Sequence, residues 1–318
     1  MSTAAPARKD FLSVLDFDAT ELERCLEIAA QVKADRALGR QAPTSAALEG
    51  RHVAMLFEKA SLRTRSTFEI AIVELGGNVV SLQPDAALGK REPVSDVARN
   101  LERWVDGIVI RTFSQRMLEE FAAAAPRLRV VNALSDEQHP CQALADVMTL
   151  REQWGPVRGR TITYVGDGNN VAVSLVHATL MLGINIHVAS PDGYQLPEWA
   201  VQHAAFAARH GARLRLFSDA ADAVSGVDAV YTDTWTSMGQ EDEAAVRRRV
   251  FEPYQVNDAL MSQAKPGALF MHCLPAHRGE EVTADVFESS ASVVFDQAEN
   301  RLHVQKALLS MLLSVPRA

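Results

Sequence analysis

Short apolar runs rich in Val and Ile return along the chain, each followed by a stretch of helical period, and this alternation restricts the fold to parallel sheet covered by helices. The first series is HVAMLF (52–57), NVVSL (78–82), GIVIR (107–111) and LRVVN (128–132). Between these runs apolar residues fall at helical spacing, as with Phe68, Ile72 and Leu75, after which Gly76 and Gly77 stop the helix. The series then restarts with TITYVG (161–166), NIHVAS (185–190), ARLRLF (212–217), DAVYTD (228–233) and ALFMHC (268–273). Two series imply two sheets. The expected fold class is α/β with two domains, each a parallel sheet flanked by helices.

A length of 318 residues agrees with two domains. A helix read from about Cys141 to Gln153, followed by the break WGPVRG, marks the join. An amphipathic helix opens the chain in DATELERCLEIAAQVK, with Asp18 or Thr20 as its cap, and another closes it in NRLHVQKALLSMLLSV. The expected domains are 1–147, joined by a returning C-terminal helix at 299–318, and 148–298.

The chain carries 40 acidic and 32 basic residues, a formal net charge of -8. That balance argues against nucleic acid or an anionic membrane as partner, since both need a broad basic face. Cys25, Cys141 and Cys273 are the only cysteines and show no CxxC spacing, which fits a reducing cytoplasmic setting. No apolar run has the length of a signal peptide or a membrane span, so neither is expected.

Against this acidic background, FEKASLRTRSTFE (57–69) gathers two arginines, a lysine and four hydroxyls. A strand ends at Phe57 and a helix begins near Ser61 to Arg63, which aims free N–H groups and the positive end of the helix at whatever sits above Ser61. Such a helix start suits phosphate, although a capped helix with solvated arginines has the same sequence pattern. The glycine loop and lysine of a nucleotide P-loop are absent.

Other candidates stand at strand and helix ends. Arg111 closes the run GIVIR, where parallel sheets place ligand groups, or serves structure alone. In DEQHPCQALAD, Pro140 suits a first helical position, so His139 and Gln142 are either part of a well-formed helix start or rigidly held polar contacts. GDGNN (166–170) is a weak match to a dinucleotide turn, and Asn169 and Asn170 read equally as helix caps or ligand contacts. Asp233 ends a strand and is followed by Ser237 and Met238, a grouping that suits a zwitterionic amino acid. Cys273 is a small buried hydrophobe or a reactive thiol. No metal site is expected, because His272 and Cys273 are neighbours whose side chains should diverge at a strand end.

Taken in order, the motifs SLRTR, HPCQALAD, DTWTSMGQE and HCLPAHRGEEV resemble the aspartate/ornithine carbamoyltransferase family, and the last two resemble its ornithine branch. The likeness runs from FLSVLDFDATELE to AENRLHVQKALL. It implies that Ser61, Leu62, Arg63 and Thr64 hold the phosphate of carbamoyl phosphate and that Arg111 bridges phosphate and carbamoyl oxygen. His139 and Gln142 would contact the carbamoyl group, helped by Cys273, Leu274 and Arg301. Asn170, Asp233, Ser237 and Met238 would hold L-ornithine. Arg111, His139, Cys273 and Asp233 would be the catalytic groups, with no cofactor, in a homotrimer or a multiple of one.

Three positions depart from the family pattern. Leu62 replaces a threonine, Ala87 stands where many relatives carry a glutamine that reaches the neighbouring subunit, and Val173 replaces a polar residue. The alternative within the class is a carbamoyltransferase for putrescine, an acylated ornithine or aspartate. Outside it stand a non-catalytic carbamoyltransferase-like partner and a small-anion binding protein.

Overall fold

The computed structural model describes residues 10–84, 92–236 and 241–314. Contacts divide the chain into two compact units, Met1–Met148 with Arg301–Ala318, and Thr149–Asn300. The first holds the strands β1 (His52–Phe57), β2 (Asn78–Leu82), β3 (Gly107–Arg111) and β4 (Arg129–Leu134), all parallel, in the order β2-β1-β3-β4. The second holds β5 (Thr161–Val165), β6 (Asn185–Ala189), β7 (Leu214–Phe217), β8 (Ala229–Thr232) and β9 (Leu269–His272), also parallel, in the order β7-β6-β5-β8-β9. Both orders reverse direction once, between β1 and β3 and between β5 and β8. Open parallel sheets bind ligands at such reversals, beyond the strand C-termini.

The helices are α1 (Ala19–Ala34), α2 (Leu62–Glu74), α3 (Val94–Leu101), α4 (Gln115–Ala124), α5 (Pro140–Trp154) and α6 (Asn170–Met181). There follow α7 (Glu198–Ala207), α8 (Ala220–Val224), α9 (Ala244–Phe251), α10 (Asp258–Met261), α11 (Ala284–Phe287) and α12 (Val294–Leu313). Asp18 caps α1 in a capping box with Glu21, which settles the choice between Asp18 and Thr20. β1, β3 and β4 are buried almost throughout, and one face packs Ala54, Leu56, Ile108, Ile110 and Val130 against Val97 and Leu101 of α3 and Leu118 and Phe121 of α4. The returning end of α12 is fixed within the first unit by Lys306, whose ammonium pairs with Glu74 at 2.9 Å, and by Arg129, whose Nε donates to the Leu312 carbonyl at 3.2 Å. No described helix is long and apolar enough to cross a membrane.

In the second unit α6 is buried from Val171 to Met181, His177 included. Burial brings the His177 pKa down to about 4, opposed by its bond to the Ala200 carbonyl, while His203 adds to the lowering. A histidine whose folded pKa lies below its unfolded value of 6.5 stabilises the fold above that pH, and this contribution is lost as pH falls toward 4. The loss amounts to roughly 3 kcal/mol. Between pH 6.5 and 4 the thermal midpoint of the wild type should therefore fall more steeply than that of His177→Gln; parallel curves would refute this account of the acid limb.

Candidate active site

In the first unit the β1–α2 loop and the end of β3 meet at the sheet's reversal. Phe57 and Arg111 are register partners across β1 and β3, so the Arg111 side chain reaches the start of α2, and its Nη1 donates to Ser61 Oγ at 3.0 Å. Ser61 is the N-cap of α2 by position, yet its hydroxyl makes no cap bond and instead accepts from Arg111. Leu62, the first helical residue, is 78% exposed. Arg63 follows, half-buried, and Thr64 is buried.

A second arginine closes the cluster. Arg301, in the middle of α12, donates from Nη2 to Thr64 Oγ1 at 3.0 Å and from Nη1 to Gln142 Oε1. Gln142 in turn donates from Nε2 to Asp146 Oδ1 at 2.8 Å, one turn further along α5. His139 lies just before α5, and its carbonyl accepts from the Gln142 and Ala143 amides at the helix start. Beneath it a buried network fixes the turn: Ser135 Oγ donates to Gln115 Oε1 at 2.6 Å, and the Gln138 amide donates to Ser135 Oγ at 3.1 Å.

The electrostatics point one way. Arg111 is 8% exposed and pairs with no carboxylate among the described residues. Burial, with the charge of Arg301 adding, pushes its pKa down to about 10, so it stays charged at neutral pH. His139 is held well below the ordinary imidazole range by burial and then by Arg301 and Arg111, which keeps the ring neutral. A buried guanidinium beside another, without an acid of its own, is a site prepared for an anion. Arg65 takes no part: its Nε donates to Glu69 Oε1 at 3.0 Å on the exposed face of α2.

The reversal of the second sheet carries a different chemistry. Asp233, just after β8, is buried and accepts from Asn169 Nδ2 at 2.9 Å, from the Thr234 amide at 2.8 Å, from Cys273 Sγ at 2.9 Å and, at 3.5 Å, from Thr234 Oγ1. Asn169 caps α6, its Oδ1 accepting from the Val171 and Ala172 amides, while its Nδ2 serves Asp233. Of the two readings open for this pair of asparagines, Asn169 takes the cap, and its free end is used to orient Asp233; Asn170 is the first residue of α6. Asp167, after β5, is pushed up by burial, opposed by the Arg247 guanidinium at 2.7 Å, with Asp233 adding to the rise.

The expected divergence of His272 and Cys273 is overturned. Donor atoms of Asp233, His272 and Cys273 lie within 4.8 Å of one another, because the chain turns sharply at Leu274, whose φ is 60°. The Leu274 amide donates to His272 Nδ1 at 2.9 Å, so the ring proton sits on Nε2, which donates to Glu281 Oε1 at 3.1 Å. The two nitrogens of His272 are thus occupied in bracing the turn that carries Cys273 and Leu274.

The GDG stretch is not a dinucleotide turn in its geometry. A Cβ at Gly168 would lie 2.3 Å from the Leu196 amide nitrogen, so this glycine admits the backbone of a neighbouring loop. Gly166, at φ 145°, needs the conformation that glycine allows.

The first unit therefore gathers Ser61, Thr64, Arg111, His139, Gln142 and Arg301, with Leu62 and Arg63 on the same first turn of α2. The second gathers Asp233, Cys273 and Leu274, with Asn170 beside the cap. Ser237, Met238 and Ala87 lie outside the described residues. Asp146 joins the first cluster without having been singled out in the sequence, since it has the signature of any acid on a helix, and Asn169, weighed there with Asn170, enters the second through Asp233.

Profiles of known families match both halves. Residues 9–152 match the "carbamoyl-P binding domain" and residues 158–312 the "Asp/Orn binding domain" of aspartate/ornithine carbamoyltransferase. The chain belongs to the aspartate/ornithine carbamoyltransferase family. An ornithine carbamoyltransferase of Parafrankia sp. strain EAN1pec is 48% identical over 307 residues, covering 96% of each chain. The "Ornithine carbamoyltransferase, anabolic" of Pyrococcus furiosus is 47% identical over 312 residues, covering 96% of this chain and 97% of that one. Among solved structures, ornithine carbamoyltransferase from Pyrococcus furiosus superposes with a TM-score of 0.90 at 46% identity, over 98% of this chain and 99% of that chain. That from Thermus thermophilus gives 0.86 at 42% identity, over 98% and 100%.

Proposed function

We propose that this carbamoyltransferase moves the carbamoyl group of carbamoyl phosphate to the δ-amine of L-ornithine, giving L-citrulline and phosphate. The observation that carries the reading is the near full-length identity to proteins named for this reaction. Its chemistry finds the right groups: a buried, acid-free Arg111 for the dianion, and a buried Asp233 for the α-ammonium.

The first chemical problem is charge. As the amine adds to the carbonyl carbon, negative charge grows on the carbonyl oxygen, and donors fixed in advance stabilise it. Neutral His139 has a ring N–H to offer, and Arg111 and Arg301 add charge. Because an arginine can only donate, Ser61 and Thr64 accept from Arg111 and Arg301, which leaves each hydroxyl proton for a ligand oxygen. The second problem is the proton. An alkyl ammonium with a pKa of about 10.4 presents its neutral form at pH 7 at a cost of about 4.6 kcal/mol. Within this reading the acceptors are the Asp233–Cys273 pair and the departing phosphate. The chemistry requires no metal or organic cofactor.

The proposed assembly is a homotrimer or a multiple of one in the cytoplasm, working toward citrulline in arginine biosynthesis. Light scattering on the purified chain reads the assembly. The function itself is tested by citrulline formation from carbamoyl phosphate with L-ornithine, against parallel arms with putrescine, N-acetylornithine and L-aspartate. Product in any arm exceeding the ornithine arm would reassign the amine.

The loop also makes a prediction of its own. If the first position of α2 binds phosphate through its backbone, Leu62→Thr should change little. Leu62→Pro, which keeps a helix start but removes the N–H, should raise the KM for carbamoyl phosphate roughly tenfold. Equal effects of the two substitutions would put the side chain, not the amide, in contact with substrate.

A further inference from the structure

An acid buried in a site built for an anion calls for a reason. Asp146 is fully buried, one turn along α5 from Gln142, and its Oδ1 accepts from Gln142 Nε2 at 2.8 Å. The opposite end of the same amide accepts from Arg301 Nη1, and Arg301 Nη2 donates to Thr64 Oγ1 at 3.0 Å. These bonds form one line: Asp146, Gln142, Arg301, Thr64.

The direction of that line is dictated at both ends. Arginine has donors only, so the amide must turn its oxygen to Arg301. An ionised carboxylate accepts only, so the amide must turn its nitrogen to Asp146. With the carboxylate in place the two demands agree, and the amide has one orientation. Without it, the amide can rotate and set its NH2 against the guanidinium, donor against donor.

We propose that Asp146 is a positioning residue that fixes the polarity of the Gln142 amide and thereby holds Arg301, and the Thr64 hydroxyl beyond it, in place for carbamoyl phosphate. The identity of the ligand rests on the reading given under Proposed function; the line of bonds does not. Asp146 touches no reacting atom in this scheme and acts through Gln142.

The test exchanges the two side chains' chemistry. Asp146→Asn offers an amide to an amide and loses the fixed polarity; Gln142→Glu sets a carboxylate against Asp146. The double variant Asp146→Asn with Gln142→Glu restores the pattern, since the amide now at position 146 donates to the carboxylate now at position 142, and that carboxylate accepts from Arg301. The summed charge of the pair is that of the wild type. Asp146→Asn should raise the KM for carbamoyl phosphate roughly tenfold or more while leaving that for L-ornithine within about twofold. Rescue is read on the ligand-free protein, because Gln142 would itself face the carbamoyl group: Asp146→Asn should lower the thermal midpoint and the double variant should recover most of that loss. A merely structural acid would not be rescued by adding a second change beside it.

A wild-type KM in Asp146→Asn, or a double variant no more stable than Asp146→Asn, overturns the proposal. If Asp146→Asn fails to fold, the double variant decides alone: recovery of a folded protein supports the line of bonds, and failure of both variants to fold refutes it. Citrulline formation by the wild type is read separately, so failure of the functional reading is distinguishable. In that event a double-mutant cycle of thermal stability on the ligand-free protein still measures the coupling between positions 142 and 146.

Discussion

Arg111→Met should abolish productive use of carbamoyl phosphate without weakening the fold. The native guanidinium is 8% exposed, lies near Arg301, and is bonded to the Ser61 hydroxyl with no acid of its own among the described residues. Desolvation and like charge both act against it in the empty site. Methionine has similar length, needs no solvation and leaves no buried charge unpaired, so the stability of the ligand-free protein should hold or rise by about 1 kcal/mol. The loss appears only with the anion. A fixed donor to the developing oxyanion contributes about a hundred- to thousandfold in rate, and Arg111 would serve phosphate as well, so kcat/KM should fall by about a thousandfold or more. Arg111→Lys should rescue little, because a point charge does not reproduce the fork that reaches Ser61 and a ligand together. Thermal shift with carbamoyl phosphate gives the complementary reading: the ligand stabilises the wild type and not the variant. Normal saturation by carbamoyl phosphate in Arg111→Met would remove this residue from the site.

That trade of stability for binding was not visible in the strand that carries it. GIVIR reads correctly as a strand, because a parallel strand buried on both faces is a continuous apolar run. What the run hides is the partner: the register of Phe57 with Arg111 brings together residues fifty positions apart, Ser61 and Arg111. Arg301 and Thr64 are separated by 237 positions, and only the return of α12 joins them. The motifs were therefore legible one by one, while their convergence came from topology.

Element boundaries failed where polar residues are satisfied inside the fold. β4 runs to Leu134, beyond the expected end at Asn132, because the Asn132 amide is buried and donates to the Leu12 carbonyl and to Gln115. A polar residue in a strand looks like its end when its partners lie 17 and 120 positions away, outside the strand. α12 begins at Val294, well before the expected start, since exposed Phe295 and a run of acid and amide residues blur the apolar stripe. Asp146 and the bond from Asn169 to Asp233 escaped for a related reason: each orients another polar group, and orientation has no signature in composition or period.

The second large effect is expected at Asp233. Its carboxylate accepts from Asn169, from the Thr234 amide and from Cys273, so every described partner is a donor. Asp233→Asn keeps the shape but replaces one acceptor with an NH2, which must face either the Asn169 amide or the thiol. The charge that would meet an α-ammonium is gone, and a charge-assisted bond in a buried setting is lost with it. The KM for L-ornithine should rise about a hundredfold or more, with that for carbamoyl phosphate unchanged, since the Arg111 cluster does not include this residue. Discrimination gives the sharper test. Wild-type enzyme should strongly prefer L-ornithine to N-acetylornithine, which has no α-ammonium, and Asp233→Asn should lose most of that preference because both amines then meet a neutral group. A variant that loses activity yet keeps the wild-type preference would assign Asp233 to the proton chemistry with Cys273 rather than to recognition of the amino acid.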